Sequence, residues 1–311
     1  MTTYVGVDIG GTKIRYGLVK AEGEVLADMH FPIRSERGRE VVLDELCTRL
    51  GEFIDSLPQD VKPAGIGVGT AGRVVPAEGL VVFSPNIPIW RNLKLGPHLE
   101  EKLGLPVRME NDANLFALGE WLAGAGRDMN HMLGVTLGTG VGGGLILAGR
   151  IWNGAYGTAA EIGHCVVQPE GRLCHCGGRG CLETLASATA MAELARERIL
   201  AGQTTSYQGP VEELTSVHLF DMARQGDELA LDIFRIAGEA LGLVLVNVFN
   251  LLGLEGVVIG GGAGITFEFL KPHIMKTITG RLFTMDVDQL FLARSTLGDL
   301  APLIGAAALF K

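Results

Sequence analysis

The chain has 311 residues, 47% of them hydrophobic and 20% charged, with a formal net charge of −9 at pH 7. That balance excludes disorder, leaves room for two domains with ample cores, and, without any Lys/Arg cluster, argues against a nucleic-acid surface. The longest apolar run, Leu241 to Leu254, is broken by Asn247 and Asn250 and is too short to span a bilayer; Met1-Thr2-Thr3 leads into an apolar strand with no signal-peptide pattern. A cytoplasmic protein without membrane partners is the expectation.

Tyr4 to Ile9 reads as a buried strand ending in Gly10-Gly11-Thr12-Lys13, followed by apolar runs at Ile14–Val19 and Glu24–Phe31. Strand, glycine turn, strand, turn, strand is an antiparallel meander. Helical spacing follows over 41–57, then short strands at Ile66–Val68 and Val107–Met109, and a helix over Asp112–Ala123. The second half repeats the order: strands at Met132–Leu137, Gly142–Leu147 and Arg150–Trp152, helices at Ser187–Leu200, Leu214–Arg224 and Asp227–Leu252, and a strand at Gly256–Ile259. A helix at Phe267–Ile278, a strand at Gln289–Arg294 and a helix at Leu300–Phe310 close it. Two βββαβαβα halves, each with a Gly-Thr turn in its first hairpin, predict an α/β fold built by internal duplication.

Forty-five glycines, about twice the usual share, fall at the ends of apolar strands, where tight turns around a ligand need them. Asp8 to Lys13 sets a carboxylate at a strand end beside bare backbone amides, which suits phosphate and a hydrated Mg²⁺. Leu137 to Gly144 offers the same kind of turn around Gly138, Thr139 and Gly140, although a tight hairpin alone needs the same residues. Gly67-x-Gly69-x-x-Gly72 and Gly138-x-Gly140-x-x-Gly143 match a dinucleotide pattern, but strand-like residues follow each where that pattern needs a helix. Asp112 at a helix N-terminus would stay ionised and accept a proton, while a plain N-cap at Asn111 or Asp112 is the competing explanation. Asn86, in a Pro-framed loop beside Trp90, suits sugar hydroxyls, and Gly261 and Gly262 follow a buried strand where a nucleotide could lie against backbone.

Four of the five cysteines lie between Glu161 and Glu183. His164, Cys174, Cys176 and Cys181 form the nitrogen and three sulfurs of a closed structural zinc site, with Cys165 and His175 as alternative ligands. A closed site leaves no position for substrate, so the metal shapes a loop.

Together, Asp8-Ile-Gly-Gly-Thr-Lys13, Ser84-Pro-Asn86 with Trp90, Glu110-Asn-Asp-Ala-Asn114, Leu137-Gly-Thr-Gly140, Glu161-Ile-Gly-His164 and Cys174-x-Cys176-Gly-x-x-Gly-Cys181-x-Glu183 resemble the ROK-family sugar kinases of the bacterial glucokinase type. The resemblance implies a two-domain actin-like ATPase (RNase H-like) fold with its active site in the interdomain cleft. It divides the chain into an N-terminal domain of residues 1–117, with the C-terminal helix 299–311 packing back on it, and a C-terminal domain of residues 118–298. It further implies transfer of the γ-phosphate of MgATP to a hexose, glucose to glucose 6-phosphate. N-acetylmannosamine, N-acetylglucosamine and fructose kinases share most of the motifs, and Gly69-Thr-Ala-Gly72 lacks a proline that many members carry.

By the same resemblance, Asp112 is the general base, and Asn86, Asn111, Glu161, His164 and Glu183 are sugar contacts. Asp8, Gly10, Gly11, Thr12, Lys13, Gly138, Thr139, Gly140, Gly261 and Gly262 face ATP and Mg²⁺. The resemblance suggests a homodimer or tetramer. Sugar-responsive repressors of the family add an N-terminal helix-turn-helix, which is not expected here because three residues precede the first strand.

Overall fold

The computed structural model of the chain describes residues 1–283 and 286–311. Its contacts group into two compact units, one of residues 1–128, 144–159 and 296–311, the other of residues 129–143 and 160–295. The helix that the sequence-based division at 117/118 would cut is continuous and lies whole in the first unit.

The first half of the chain forms β1 (Thr3–Ile9), β2 (Lys13–Lys20), β3 (Val25–Pro32), α1 (Arg39–Asp55), β4 (Ile66–Thr70), β5 (Arg73–Val75), β6 (Leu80–Phe83), β7 (Arg91–Leu93), α2 (Leu95–Leu103), β8 (Val107–Asn111) and α3 (Asp112–Ala123). The second half forms β9 (Met132–Leu137), β10 (Val141–Leu147), β11 (Arg150–Ile151), α4 (Glu183–Ala186), α5 (Ala188–Leu200), α6 (Ser216–Arg224), α7 (Glu228–Leu252), β12 (Gly256–Gly260), α8 (Phe267–Thr279), β13 (Phe291–Arg294) and α9 (Ala301–Ala308). One sheet runs β3-β2-β1-β4-β8 and the other β11-β10-β9-β12-β13. These are the same order counted within each repeat, so the duplication predicted from element order extends to strand pairing. The small sheet β5-β6-β7 has no counterpart among the predicted strands. Among the described residues, no helix is long and apolar enough to cross a membrane.

Strand alternation sets what each face of the first sheet meets. Val5, Val7 and Ile9 are fully buried and pack with Leu46, Leu50 and Phe53 of α1 and Leu99 of α2. The opposite face carries glycine: a Cβ on Gly6 would stand 2.6 Å from the Leu303 carbonyl oxygen, and one on Gly67 2.1 Å from that of Ala306. Such distances are far inside van der Waals contact, so α9 lies directly on the backbone of β1 and β4. The same close approach joins α9 to α3, because a Cβ on Gly119 would meet Ala301 O at 2.0 Å and one on Gly305 would meet Leu115 O at 1.9 Å. Asp8 shares the face of Gly6, and so points toward α9 and not into the aliphatic core.

Candidate functional site

In the first unit, the turn between β1 and β2 closes through the Gly10 N–H donating to Lys13 O at 3.0 Å. Gly11 has no room for a side chain, since its Cβ would lie 2.9 Å from the Asn86 Cβ. The turn and the 84–90 loop are thus brought together, the loop being held by Ser84 N–H to Trp90 O at 3.1 Å and by the Arg39 guanidinium on the carbonyls of Ile89 and Arg91.

Asp8 pairs across β1 and β2 with Arg15. Burial raises the Asp8 carboxyl to about 7; the neighbouring Asp112 adds to the rise, as does Asp299 more weakly, and Lys13 and Arg15 oppose it. Two carboxylates sharing a partly dry corner form the kind of oxygen donor set that a hard divalent cation fits.

Asn111 is the cap of α3, its Oδ1 accepting from the N–H groups of Ala113 at 2.9 Å and Asn114 at 3.3 Å. Asp112 is the first helical residue, and its Oδ1 also accepts from Ala113 N–H at 3.0 Å, so the cap proper is left to Asn111. The Asn111 amide also donates to Gly72 O at 3.1 Å. Behind it Glu110 is buried and accepts from Asn111 N–H, Asn114 Nδ2 and Asn153 Nδ2 at 2.8, 3.0 and 2.7 Å. Burial raises the Glu110 pKa, against the lowering effect of these three donors. Nothing in the sequence pointed to Asn153, which stands in a glycine-rich stretch 39 positions from Asn114.

The sign of the Asp8 shift gives a measurable consequence. A carboxyl raised in the folded state favours folding at low pH, and that contribution is lost as pH rises from the unfolded value near 4 through about 7. Asp8→Asn is therefore expected to raise the melting temperature at pH 7.5 more than at pH 4.5. Equal shifts at both pH values would contradict the burial of an ionisable Asp8.

In the second unit, the turn between β9 and β10 closes through Gly138 N–H to Gly140 O at 3.0 Å. Gly261, with φ of +83°, packs on the backbone of Leu137, and Ala263 N–H donates to Leu137 O at 2.8 Å. The two glycine turns assigned to nucleotide are thereby neighbours, and Gly262 faces open space. Glu183, at the start of α4, accepts from Val141 N–H through Oε2 at 3.0 Å. A Cβ on Gly140 would stand 2.4 Å from that oxygen, so glycine there admits the carboxylate.

The ligand atoms of His164, Cys174, Cys176 and Cys181 all lie within 4.8 Å of one another, with Cys165 and His175 outside the group. Tetrahedral zinc with bonds of about 2.3 Å to sulfur requires sulfurs about 3.8 Å apart; Cys176 and Cys181 are separated by 3.7 Å, and His164 Nδ1 and Cys174 by 3.7 Å. The donor set and its spacing therefore fit the ion. Burial pushes the Cys174 thiol up and that of Cys181 to about 12, while the Gly178 N–H lowers Cys176. Gly177 and Gly180 take φ of +90° and +68°, and Cys174 N–H to Gly178 O at 2.8 Å closes the knuckle. Glu161 is exposed and heads the short helical turn Ile162–His164, which delivers Nδ1 of His164 to the cluster. Glu183 Oε1 lies 3.8 Å from the Cys174 sulfur, so one carboxylate touches both the cysteine knuckle and the 138–141 turn.

A family model described as the ROK family matches residues 4–311. A glucokinase of Thermotoga maritima is 37% identical over 310 residues, covering 99% of this chain and 96% of that protein. The crystal structure of a ROK family glucokinase from Streptomyces griseus, in complex with glucose and AMPPNP, aligns with a TM-score of 0.83 at 33% identity, covering 99% of this chain and 98% of that one. The crystal structure of a ROK family transcriptional regulator, described as a homolog of the E. coli MLC protein, aligns with a TM-score of 0.89 at 31% identity, covering 99% of this chain and 77% of that one.

Proposed function

Because the chain belongs to the ROK family, we propose that it is an ATP-dependent hexose kinase that transfers the γ-phosphate of ATP to glucose. Its fold is the two-domain actin-like ATPase fold of the family's glucokinases. The observation that carries the function is the Asp8–Asp112 pair beside the Gly10–Lys13 turn: a carboxylate heads a capped helix, next to a second carboxylate and a nest of amides. Phosphoryl transfer needs positioned phosphates, neutralised charge and a base on the attacking hydroxyl, and little else.

In this proposal Asp112 takes the proton of the sugar hydroxyl. Asn86, Asn111, Glu161, His164 and Glu183 bind the hexose, and the turns at 10–13, 138–140 and 261–262 bind ATP. Mg²⁺, held at Asp8, would supply charge neutralisation on the phosphates. The Glu110–Asn114–Asn153 network keeps the Asn111 cap and hence Asp112 in register. The protein is expected to act in the cytoplasm as a homodimer or tetramer.

The test is ADP release from MgATP across a panel of glucose, mannose, fructose, N-acetylglucosamine and N-acetylmannosamine. Glucose is expected to give the highest kcat/KM, and no stimulation by any sugar would refute the kinase. A second reading, a sugar-responsive regulator, is favoured by the TM-score of 0.89 to the transcriptional regulator; glucose binding without turnover would support it.

Zinc is proposed at His164, Cys174, Cys176 and Cys181, with Nδ1 of His164 on the metal and its Nε2 left for the sugar. Metal analysis is expected to give about one zinc per chain. Cys181→Ser should lose most of it and lower the melting temperature, because an unpartnered knuckle has no apolar core of its own. Metal-free protein with unchanged stability would remove the zinc assignment.

A further inference from the structure

We propose that Glu120 is a positioning residue for the phosphate end of the site, an inference that rests on the kinase reading above. Glu120 is fully buried near the end of α3, eight residues and about 12 Å along the helix from Asp112. Its Oε2 accepts from the N–H groups of Ala125 at 2.9 Å and Thr296 at 3.4 Å, and its Oε1 accepts from Leu297 N–H at 3.1 Å. A carboxylate wholly removed from water is costly unless such donors satisfy it, and an alanine or leucine would fill an ordinary helix position better.

What the carboxylate secures is the segment leading into α9. Two residues past Leu297, the Asp299 carboxylate meets Lys13 Nζ at 3.4 Å, and its carbonyl accepts from Arg15 Nη1 at 3.1 Å. Lys13 closes the first glycine turn, and Arg15 stands opposite Asp8. The contacts therefore form a ring within the first unit. Asp112 begins α3, Glu120 in its last turn fastens 296–297, Asp299 holds Lys13 and Arg15, and these flank Asp8 beside Asp112. Next to Glu120, Gly119 brings α3 onto the backbone of α9. The glycine contact fixes how closely the two helices approach, and Glu120 fixes where along them the 296–299 segment starts. Loss of the carboxylate would leave the fold standing and free the side chains of Lys13 and Arg15 beside the phosphate-binding turn.

The test compares ATP affinity by titration, glucose affinity, and amide exchange at Thr296 and Leu297 in wild type, Glu120→Gln, Asp299→Asn and the double variant. The glutamine amide nitrogen cannot accept, so one of the two sets of backbone donors loses its partner. Each single change is expected to weaken ATP binding about tenfold, with glucose affinity unchanged. Exchange at Thr296 and Leu297 should accelerate in Glu120→Gln, and the double variant should be no weaker than the worse single one, since both act through one ring. Wild-type ATP affinity in folded Glu120→Gln, or additive losses in the double variant, would overturn the proposal. Should Glu120→Gln fail to fold, Asp299→Asn with wild-type ATP affinity overturns it equally. If the wild type binds ATP but phosphorylates no hexose, the kinase reading fails and the positioning role is judged on ATP affinity alone; if it binds no ATP, both fail.

Discussion

Asp112→Asn is expected to lower kcat with glucose by about 10²–10⁴-fold while leaving the glucose KM within a few-fold of wild type. Asparagine matches aspartate in shape and still accepts a hydrogen bond, so the sugar keeps its place, but it cannot take a proton at neutral pH. The helix itself should not suffer. Asn111 supplies the cap, with Oδ1 on Ala113 N–H and Asn114 N–H, so the residue after it is not needed to begin α3. Removal of a carboxylate from the neighbourhood of Asp8 should also ease Asp8 ionisation, and the pH profile of the residual activity is then expected to shift to lower pH. A variant within about threefold of wild-type kcat would show that another group takes the proton, since even a weak general base contributes more than that.

The largest stability effect is expected at the crossing of α3 and α9. Gly305→Ala would set a methyl 1.9 Å from Leu115 O, and Gly119→Ala one 2.0 Å from Ala301 O. Neither obstacle is a movable side chain; both are backbone, so the helices must separate. A cost of about 3 kcal/mol or more is expected, at the top of the range for overpacked cores, with the melting temperature falling by about 2–4 °C per kcal/mol. Gly51→Ala in α1 is the control. Its nearest neighbour would be a Leu103 methyl at 3.8 Å, an ordinary contact, and the helix propensity of alanine should make it neutral or stabilising. Thermal melts of the three variants decide the matter. Equal behaviour of Gly305→Ala and Gly51→Ala would mean that the two helices do not meet backbone to backbone.

Much of this architecture is legible in the chain because local signals agree with the fold. Apolar runs at 4–9 and 132–137, each ending in a glycine turn, predicted β1 and β9. The repeated element order predicted an internal duplication, and the two sheets extend it to strand pairing. Asn111-Asp112 after a short apolar strand predicted the start of α3, and the close spacing of cysteines and glycines predicted that His164, Cys174, Cys176 and Cys181 would gather. The less legible parts are those whose partners are distant. The strands β5, β6 and β7 have three or four residues each, too few for alternation to register. Glu120 reads as one charge on an apolar helix until its amide partners arrive from 176 positions away. Asn153 completes the buried network of Glu110 across 43 positions. In both cases the chemistry is a hydrogen bond to a segment that only tertiary folding supplies.

The glycine-lined face of β1 and β4 has a consequence for biosynthesis. The helix that covers it, α9, is made from residues 301–308, so during translation the first sheet waits through nearly the whole chain for its cover. Until then Val19 and the bare backbone of Gly6 and Gly67 face solvent or a chaperone, although the strands that carry them left the ribosome first. Maturation of the first unit therefore waits until α9 has been made, even though most of its sequence lies N-terminal to that helix. Residues 1–159, which hold every segment of the first unit but the last, should remain collapsed and prone to aggregate when expressed alone, and a separately supplied peptide spanning 296–311 should rescue them.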